Sequence, residues 1–375
     1  ALTMRTLILS CNTGAGHNSC ACAIQQAYRA NGEVCDIVDA LTFISERASQ
    51  FISNWHTRIY LYAPRLFSAG YEKAEAHDDL FREGTAVYRY ITSGVRKMYA
   101  CITAGGYDNV ICTHVFPALA LTELRRRFPE LRVLTSHVST DYTCSPCTAD
   151  SALDWYFMPA AALADEFARC GIPREKLVAS GMPVRREFYA RPEKAQAKRA
   201  LGLLPEQRHL VMMCGSMGCG PMGELTLLLG ERMQPNDVLS VVCSKNEALL
   251  RKLQKQTAGA EHVRLLGQID DVPALLHGAD VFLTKPGGLS TSEAVAARLP
   301  MVLIDAVAGC EEHNLDFFLR AGMAVTANTP NEIAELALAL VHDDARLAEM
   351  RRAMESVAGT PADTVHDWLR DHQTT

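Results

Sequence analysis

This sequence predicts an α/β protein built from two doubly wound domains in tandem, and three observations carry that reading. Short apolar, β-rich runs alternate with longer amphipathic stretches along most of the chain, the rhythm of strands and helices on a buried parallel sheet. The rhythm is broken by the charged, proline-bounded stretch ARPEKAQAKRALGLLPEQR at 190–208, which reads as a linker. Finally, 375 residues exceed one ordinary compact domain, and a composition 48% hydrophobic and 21% charged can bury two cores.

The first series of strands is TLILSC, EVCDIVDA, NVICTH, RVLTSHV, WYFMPA and KLVASG. Helices between them include SCACAIQQAYRANG and ALALTELRRRF, the latter with apolar residues at helical spacing and a basic end that suits the helix dipole. The second series is HLVMMCG, VLSVVCS, VRLLGQ, DVFLTKPGG, PMVLIDA and MAVTAN. The domains expected from these runs are 1–188 and 205–358, with 359–375 forming a helix that packs back on the first. Doubly wound sheets bind ligands beyond the carboxyl ends of their strands, so a cleft between the two domains is the expected site.

Composition excludes several classes. A net charge of −6 argues against nucleic acid as a partner. No stretch reaches the roughly 18–20 apolar residues of a membrane span, and no signal segment is evident, so a cytoplasmic protein is expected. The 13 cysteines are odd in number and irregular in spacing, which fits reduced thiols better than a disulfide framework. Cys144 and Cys147 form a lone CxxC with no second pair to complete a zinc site, so no metal is expected there.

Residues 51–100 break the strand–helix pattern with an aromatic-rich insertion that includes Trp55, Tyr60 and Phe67. It carries 7 Lys and Arg against 5 Asp and Glu, a positive piece in an acidic chain. Two readings stay open: a face that dips into lipid headgroups, or a helical pair packed on the sheet.

Three motifs sit where strands hand over to helices. NTGAGHNS places Gly14, Gly16 and His17 after the first strand. DVFLTKPGGLSTSEAV places Gly287 and Gly288 between a strand and a helix start, followed by Ser290, Thr291 and Glu293. Glycines there let the backbone approach a ligand, and the helix start offers N–H groups and a positive dipole to a phosphate. Ser290 or Ser292 could instead cap this helix, with Glu293 closing a capping box. The GxxxxGK[ST] spacing of a Walker loop is absent. CGSMGCGPMGEL, with Gly215 and Ser216, is a weaker glycine-rich loop, and AVAGCEEHNLDFF gathers Glu311, Glu312, His313 and Asn314 in a turn expected just before a helix. Asp270 and Asp271 read as a helix cap rather than as metal ligands.

These pieces carry a resemblance. TGAGHNSCACAI, THVFPALAL, STDY, SGMPVRREF and the block from GQIDDVPALL to GCEEHN resemble, in order and spacing, the diacylglycerol glycosyltransferases of glycosyltransferase family 28. The resemblance implies a GT-B fold, a UDP-sugar donor in the C-terminal domain and a lipid acceptor in the N-terminal domain. It further implies peripheral binding, through the insertion, to an anionic membrane on the inner face of the cell membrane. It also places His17 at the catalytic centre, where an imidazole's near-neutral pKa suits a general base, while Asp141 of STDY, at another strand end, is the rival base or an orienting partner. The Gly287–Thr291 helix start would hold the UDP leaving group with no metal or other cofactor. Gly215, Ser216, Ile269, Glu293, Glu311, Glu312 and Asn314 are the further donor-side residues. Two departures stand out: Ala15 replaces a loop glycine, and Cys310 replaces the glutamine of the sugar-contacting turn. A thiol donates and accepts only weakly, so the resemblance does not fix the sugar. A UDP-GlcNAc transferase using a polyprenyl-linked acceptor and an epimerase-like UDP-sugar protein are the alternatives.

Overall fold

The computed structural model describes residues 4–373 apart from 14, 48, 52–53, 55–81, 216–217, 219, 305, 307–308 and 356–358. Two compact units form, one of Ala1–Arg185 with Ala308–Cys310 and Gly359–Thr375, the other of Arg186–Val307 with Glu311–Ala358.

The first unit holds six strands: β1 (Arg5–Ser10), β2 (Val34–Asp39), β3 (Asn109–Cys112), β4 (Leu134–Val138), β5 (Trp155–Met158) and β6 (Leu177–Ala179). All pair in parallel, in the order β2-β1-β3-β4-β5-β6. Leu7, Ile8 and Leu9 are consecutive and fully buried, because helices cover both faces of the sheet and leave no solvent side to alternate with. The chain reverses its direction of winding between β1 and β3. Helix Pro361–Asp371 joins this unit's core through Val365 and Leu369. Its His366 is buried within 3.3 Å of Glu33, and Trp368 meets Trp155 edge-on at 5.1 Å.

The second unit repeats the plan with β7 (Arg208–Met213), β8 (Asp237–Val242), β9 (Val263–Leu266), β10 (Val281–Thr284), β11 (Met301–Leu303) and β12 (Ala324–Val325). Its order, β12-β11-β10-β7-β8-β9, is again all parallel, and the winding reverses between β7 and β10. This is the strand order of dinucleotide-binding sheets.

The stretch 190–208 is not a free linker. Residues Lys194–Ala200 form a helix of the second unit. Lys198, only 3% exposed, pairs with buried Asp280 at 2.7 Å and donates to the Gln207 carbonyl at 2.6 Å. Asp280 also accepts from the His209 N–H at 2.8 Å, on the first strand of the sheet. Sequence charge marked this stretch as surface, but the pair's partner lies 82 positions downstream, beyond the reach of local pattern.

The described end of the 51–100 insertion forms helices Ala86–Ile91 and Val95–Gly105. Tyr88 points inward and donates to Glu123 at 2.9 Å, and Tyr99 stacks on Phe128 at 4.1 Å, so these two aromatics are packing residues. Trp55, Tyr60 and Phe67 lie outside the described residues. Among the described residues no helix is long and apolar enough to cross a membrane.

Removing one partner of a buried ion pair strands the other charge. Lys198→Ala should therefore destabilise the second unit by about 3–5 kcal/mol, read as a fall in the urea midpoint of unfolding. A shift no larger than that of an exposed lysine variant would show the pair to be solvated.

Candidate active site

Reversal of winding between β1 and β3 separates the loops that follow them and opens a crevice at their carboxyl ends. His17 stands there, in the first turn of helix Ala15–Ala30 rather than at a loop tip, while Gly14 lies outside the described residues. Gly16 belongs to the same turn. The ring nitrogen Nδ1 of His17 lies 2.8 Å from the carbonyl oxygen of Thr113, the residue after β3. A carbonyl can only accept, so Nδ1 must carry the hydrogen. The Thr140 hydroxyl, beyond β4, is 3.1 Å from the same nitrogen, and His114 packs edge-on against the His17 ring at 4.6 Å.

Burial lowers the His17 pKa from its ordinary 6.5, opposed by the Asp141 carboxylate and by the bond to Thr113. The neutral ring, with its proton on Nδ1, presents a lone pair on Nε2. Asp141, following Thr140, is thus an electrostatic neighbour of His17. His137 on β4 is also held neutral, its pKa pushed down to about 4 by burial and then by His17. Among the described residues its Nδ1 and the Thr113 hydroxyl, both buried, have no hydrogen-bond partner. Thr113, His114, Thr140 and His137 were not singled out from sequence. The available signal was a polar residue closing each apolar strand, as in VICTH and SHVSTD.

In the second unit the corresponding crevice lies between β7 and β10. Gly215, after β7, has φ +68°, a left-handed conformation that favours glycine; Ser216 lies outside the described residues. After β10, buried Lys285 leads into Gly287, the N-cap of helix Gly288–Ala296, which as a glycine brings no side-chain cap. Ser290 and Ser292 lie inside the helix, not at its cap. Thr291 and Ser292 turn their hydroxyls back to the carbonyls of Gly287 and Gly288, each at 2.7 Å. The capping box at Glu293 is therefore absent: this carboxylate sits within the helix, 6% exposed. Helix starts without a side-chain cap leave N–H groups for an outside acceptor such as phosphate.

Gly287 itself has an ordinary φ of −75°, and a Cβ placed on it would meet no protein atom within 4 Å. Among the described residues nothing requires glycine there, which leaves space beside it for a ligand. Glu311, Glu312, His313 and Asn314 form the first turn of helix Cys310–Arg320 rather than a turn ahead of it. Asn314 is fully buried and donates to the Pro286 carbonyl at 2.9 Å, which tethers the Lys285–Gly288 loop. Glu311 is half-buried and Glu312 exposed. Ile269 follows β9 at the sheet edge, two strands from β7. Asp271 caps helix Val272–His277 by accepting from the Ala274 N–H at 3.0 Å. Among the described residues no group of three His, Cys, Asp or Glu side chains is arranged to hold a metal.

Residues 17–184 match the family described as monogalactosyldiacylglycerol (MGDG) synthase, and residues 226–358 match glycosyl transferases group 1. The chain is a glycosyltransferase, similar in sequence to the diacylglycerol glycosyltransferases of family 28. This glycosyltransferase is 28% identical over 359 residues to the processive diacylglycerol β-glucosyltransferase of Bacillus cytotoxicus, covering 94% of this chain and 89% of that one. It is 29% identical over 363 residues to the Bacillus cereus protein of the same name, with the same coverage. Among solved structures it is similar to Acinetobacter baumannii MurG, with a TM-score of 0.66 at 12% identity over 98% of this chain and 99% of that one. Neisseria meningitidis UDP-GlcNAc 2-epimerase bound to UDP-GlcNAc gives 0.65 at 13% identity, over 98% and 100%. At those identities the likeness is one of fold, GT-B.

The open space at Gly287 yields a test that separates binding from folding. Gly287→Val should leave the unfolding midpoint near that of the wild type while weakening UDP at least tenfold by calorimetry. Unchanged UDP affinity would remove the Lys285–Gly288 loop from the donor site.

Proposed function

We propose that this glycosyltransferase moves a hexose from a UDP-sugar to the free hydroxyl of a diacylglycerol-type lipid, inverting configuration at the sugar's C1. The observation that carries the reading is the state of His17: one proton, fixed on Nδ1 by the Thr113 carbonyl, with Nε2 left to act as base. The names of the sequence relatives support the acceptor class. In the reaction Nε2 takes the proton of the lipid hydroxyl, whose oxygen attacks C1 as the bond from C1 to the phosphate oxygen breaks. Negative charge gathers on the departing UDP, and the uncapped start of helix Gly288–Ala296 is the group suited to hold it. Asp141 stabilises the imidazolium as it forms. No step of this reading calls for a metal, and activity should persist in EDTA.

The acceptor is a membrane lipid, so the protein works as a peripheral protein, on the inner face of the cell membrane and against its anionic surface. Support comes from exposure: of the four large apolar side chains exposed among the described residues, the two aromatic ones, Phe51 and Tyr90, both fall in the 51–100 insertion. Aromatic rings are favoured at headgroup level.

Labelled UDP-glucose, UDP-galactose and UDP-GlcNAc offered with diacylglycerol or polyprenyl phosphate in phosphatidylglycerol vesicles test the reading. A glycosylated diacylglycerol from one of the hexoses is expected; product only on the polyprenyl lipid would overturn it.

The base assignment has its own signature. Because burial holds the His17 pKa below its ordinary 6.5, the neutral form predominates above that pH. The value of kcat/KM should stay level there and fall at lower pH as the ring gains a proton. His17→Ala should cost at least about 10²-fold in turnover with UDP affinity kept. Asp141→Asn removes the charge that raises the His17 pKa, so it should move the acid limb to lower pH and leave measurable turnover. An inactive Asp141→Asn beside an active His17→Ala would make Asp141 the base.

A further inference from the structure

Resting on the diacylglycerol reading, we infer that an apolar cavity in the first unit seats the first part of one acyl chain of the acceptor. The cavity holds about 170 Å³ and lies between residues 40–44, helices Ala86–Ile91 and Val95–Gly105, and the start of helix Val115–Arg127. Phe43, Ile44, Val87, Met98 and Phe116 form its wall, none of the lining residues is charged, and Tyr90 alone brings a side-chain polar atom. Such a lining cannot satisfy the hydroxyls of a sugar or the charge of a phosphate. Dry apolar cavities of about 150 Å³ take a ligand the size of benzene, so the space here matches about six carbons. That is a short run of methylenes and too little for a second folded element.

Three further features make it a chain site rather than a packing fault. Tyr90 is 47% exposed, which puts one side of the cavity at the surface where a lipid tail could enter. Gly94 presses its segment against Phe43 so closely that a Cβ would lie 2.6 Å from the Phe43 carbonyl carbon; the wall cannot simply collapse inward past that contact. Above all, the cavity wall lies two ring contacts from the His17 side chain. Phe116 meets His114 edge-on at 4.6 Å, and His114 meets His17 at the same distance. The free hydroxyl of a diacylglycerol is only a few bonds from its ester carbons. A chain seated against Phe116 therefore leaves the hydroxyl on the His17 side. The cavity would select for an acyl chain on the acceptor and fix the depth to which the glycerol enters.

Ala120, 5% exposed, faces this cavity from helix Val115–Arg127, and a large side chain there would fill it. The measurement is the ratio of kcat/KM for dioleoylglycerol to that for dihexanoylglycerol whose chains are too short to use the site fully, both in the same mixed micelles. In Ala120→Trp this ratio should fall at least tenfold; using a ratio cancels any general loss of activity. Should that variant fail to fold, the wild-type protein provides the second measurement. A diacylglycerol carrying a diazirine near the ester end of one chain should cross-link on irradiation to the peptides holding Ile44, Tyr90 or Met98. An unchanged ratio, or cross-links confined to other peptides, would overturn the chain site. Wild-type protein that glycosylates neither diacylglycerol would instead overturn the acceptor reading beneath it.

Discussion

The hydrogen bond between His17 and the carbonyl of Thr113 is the constraint from which the chemistry of the first unit follows. A histidine freed from it could carry its proton on either nitrogen or, near neutrality, on both. The carbonyl removes that freedom, since it accepts only from an N–H, and burial keeps the second proton away. Both effects depend on the sheet. Parallel β1 and β3 end at the same level, and reversed winding between them leaves room for a side chain from one loop to reach the backbone of the other.

The second unit handles charge by the opposite means. Where the first unit holds a neutral imidazole in buried surroundings, the second presents a helix start whose N-cap, Gly287, brings no side chain to cap it. The hydroxyls that could have capped it turn back along their own helix instead. Asn314 holds the loop ahead of this helix from behind, so the donors are pre-positioned rather than recruited when a ligand arrives. One chain thus carries a neutral imidazole and a helix start of a kind suited to anions on separate sheets of the same design. The apolar cavity beside Phe116 adds the third requirement of a lipid enzyme, a place for hydrocarbon near a polar reaction.

Much of this was legible in the sequence, for a physical reason. Strands buried on both faces must be apolar at consecutive positions, so LILS, VMM and VFL mark themselves, and the glycines after them mark where backbone must turn or be approached. The strand–glycine–helix spelling thus located NTGAGHNS and KPGGLS without any structure. Local signals failed where the same residues satisfy two local rules. Ser290, Ser292 and Glu293 spell a capping box, yet the helix begins at Gly288, which puts all three inside it and buries Ser292 and Glu293. Lys198 in a run of charges spells a surface linker, yet Asp280 draws it into a core.

The sequence by itself determined the two parallel sheets, the loops at their carboxyl ends and the residue types gathered there, because all of these follow from periodicity and backbone freedom within a few residues. Only the tertiary structure decided which nitrogen of His17 bears the proton, that Tyr88 turns inward to Glu123, that Asn314 anchors a loop, and that an apolar space opens beside Phe116. Each of these depends on a partner brought from elsewhere in the chain, Thr113 standing 96 positions from His17 and Glu123 35 from Tyr88. Proton position and burial are set by what lies across the fold, and one-dimensional spacing carries no record of that distance.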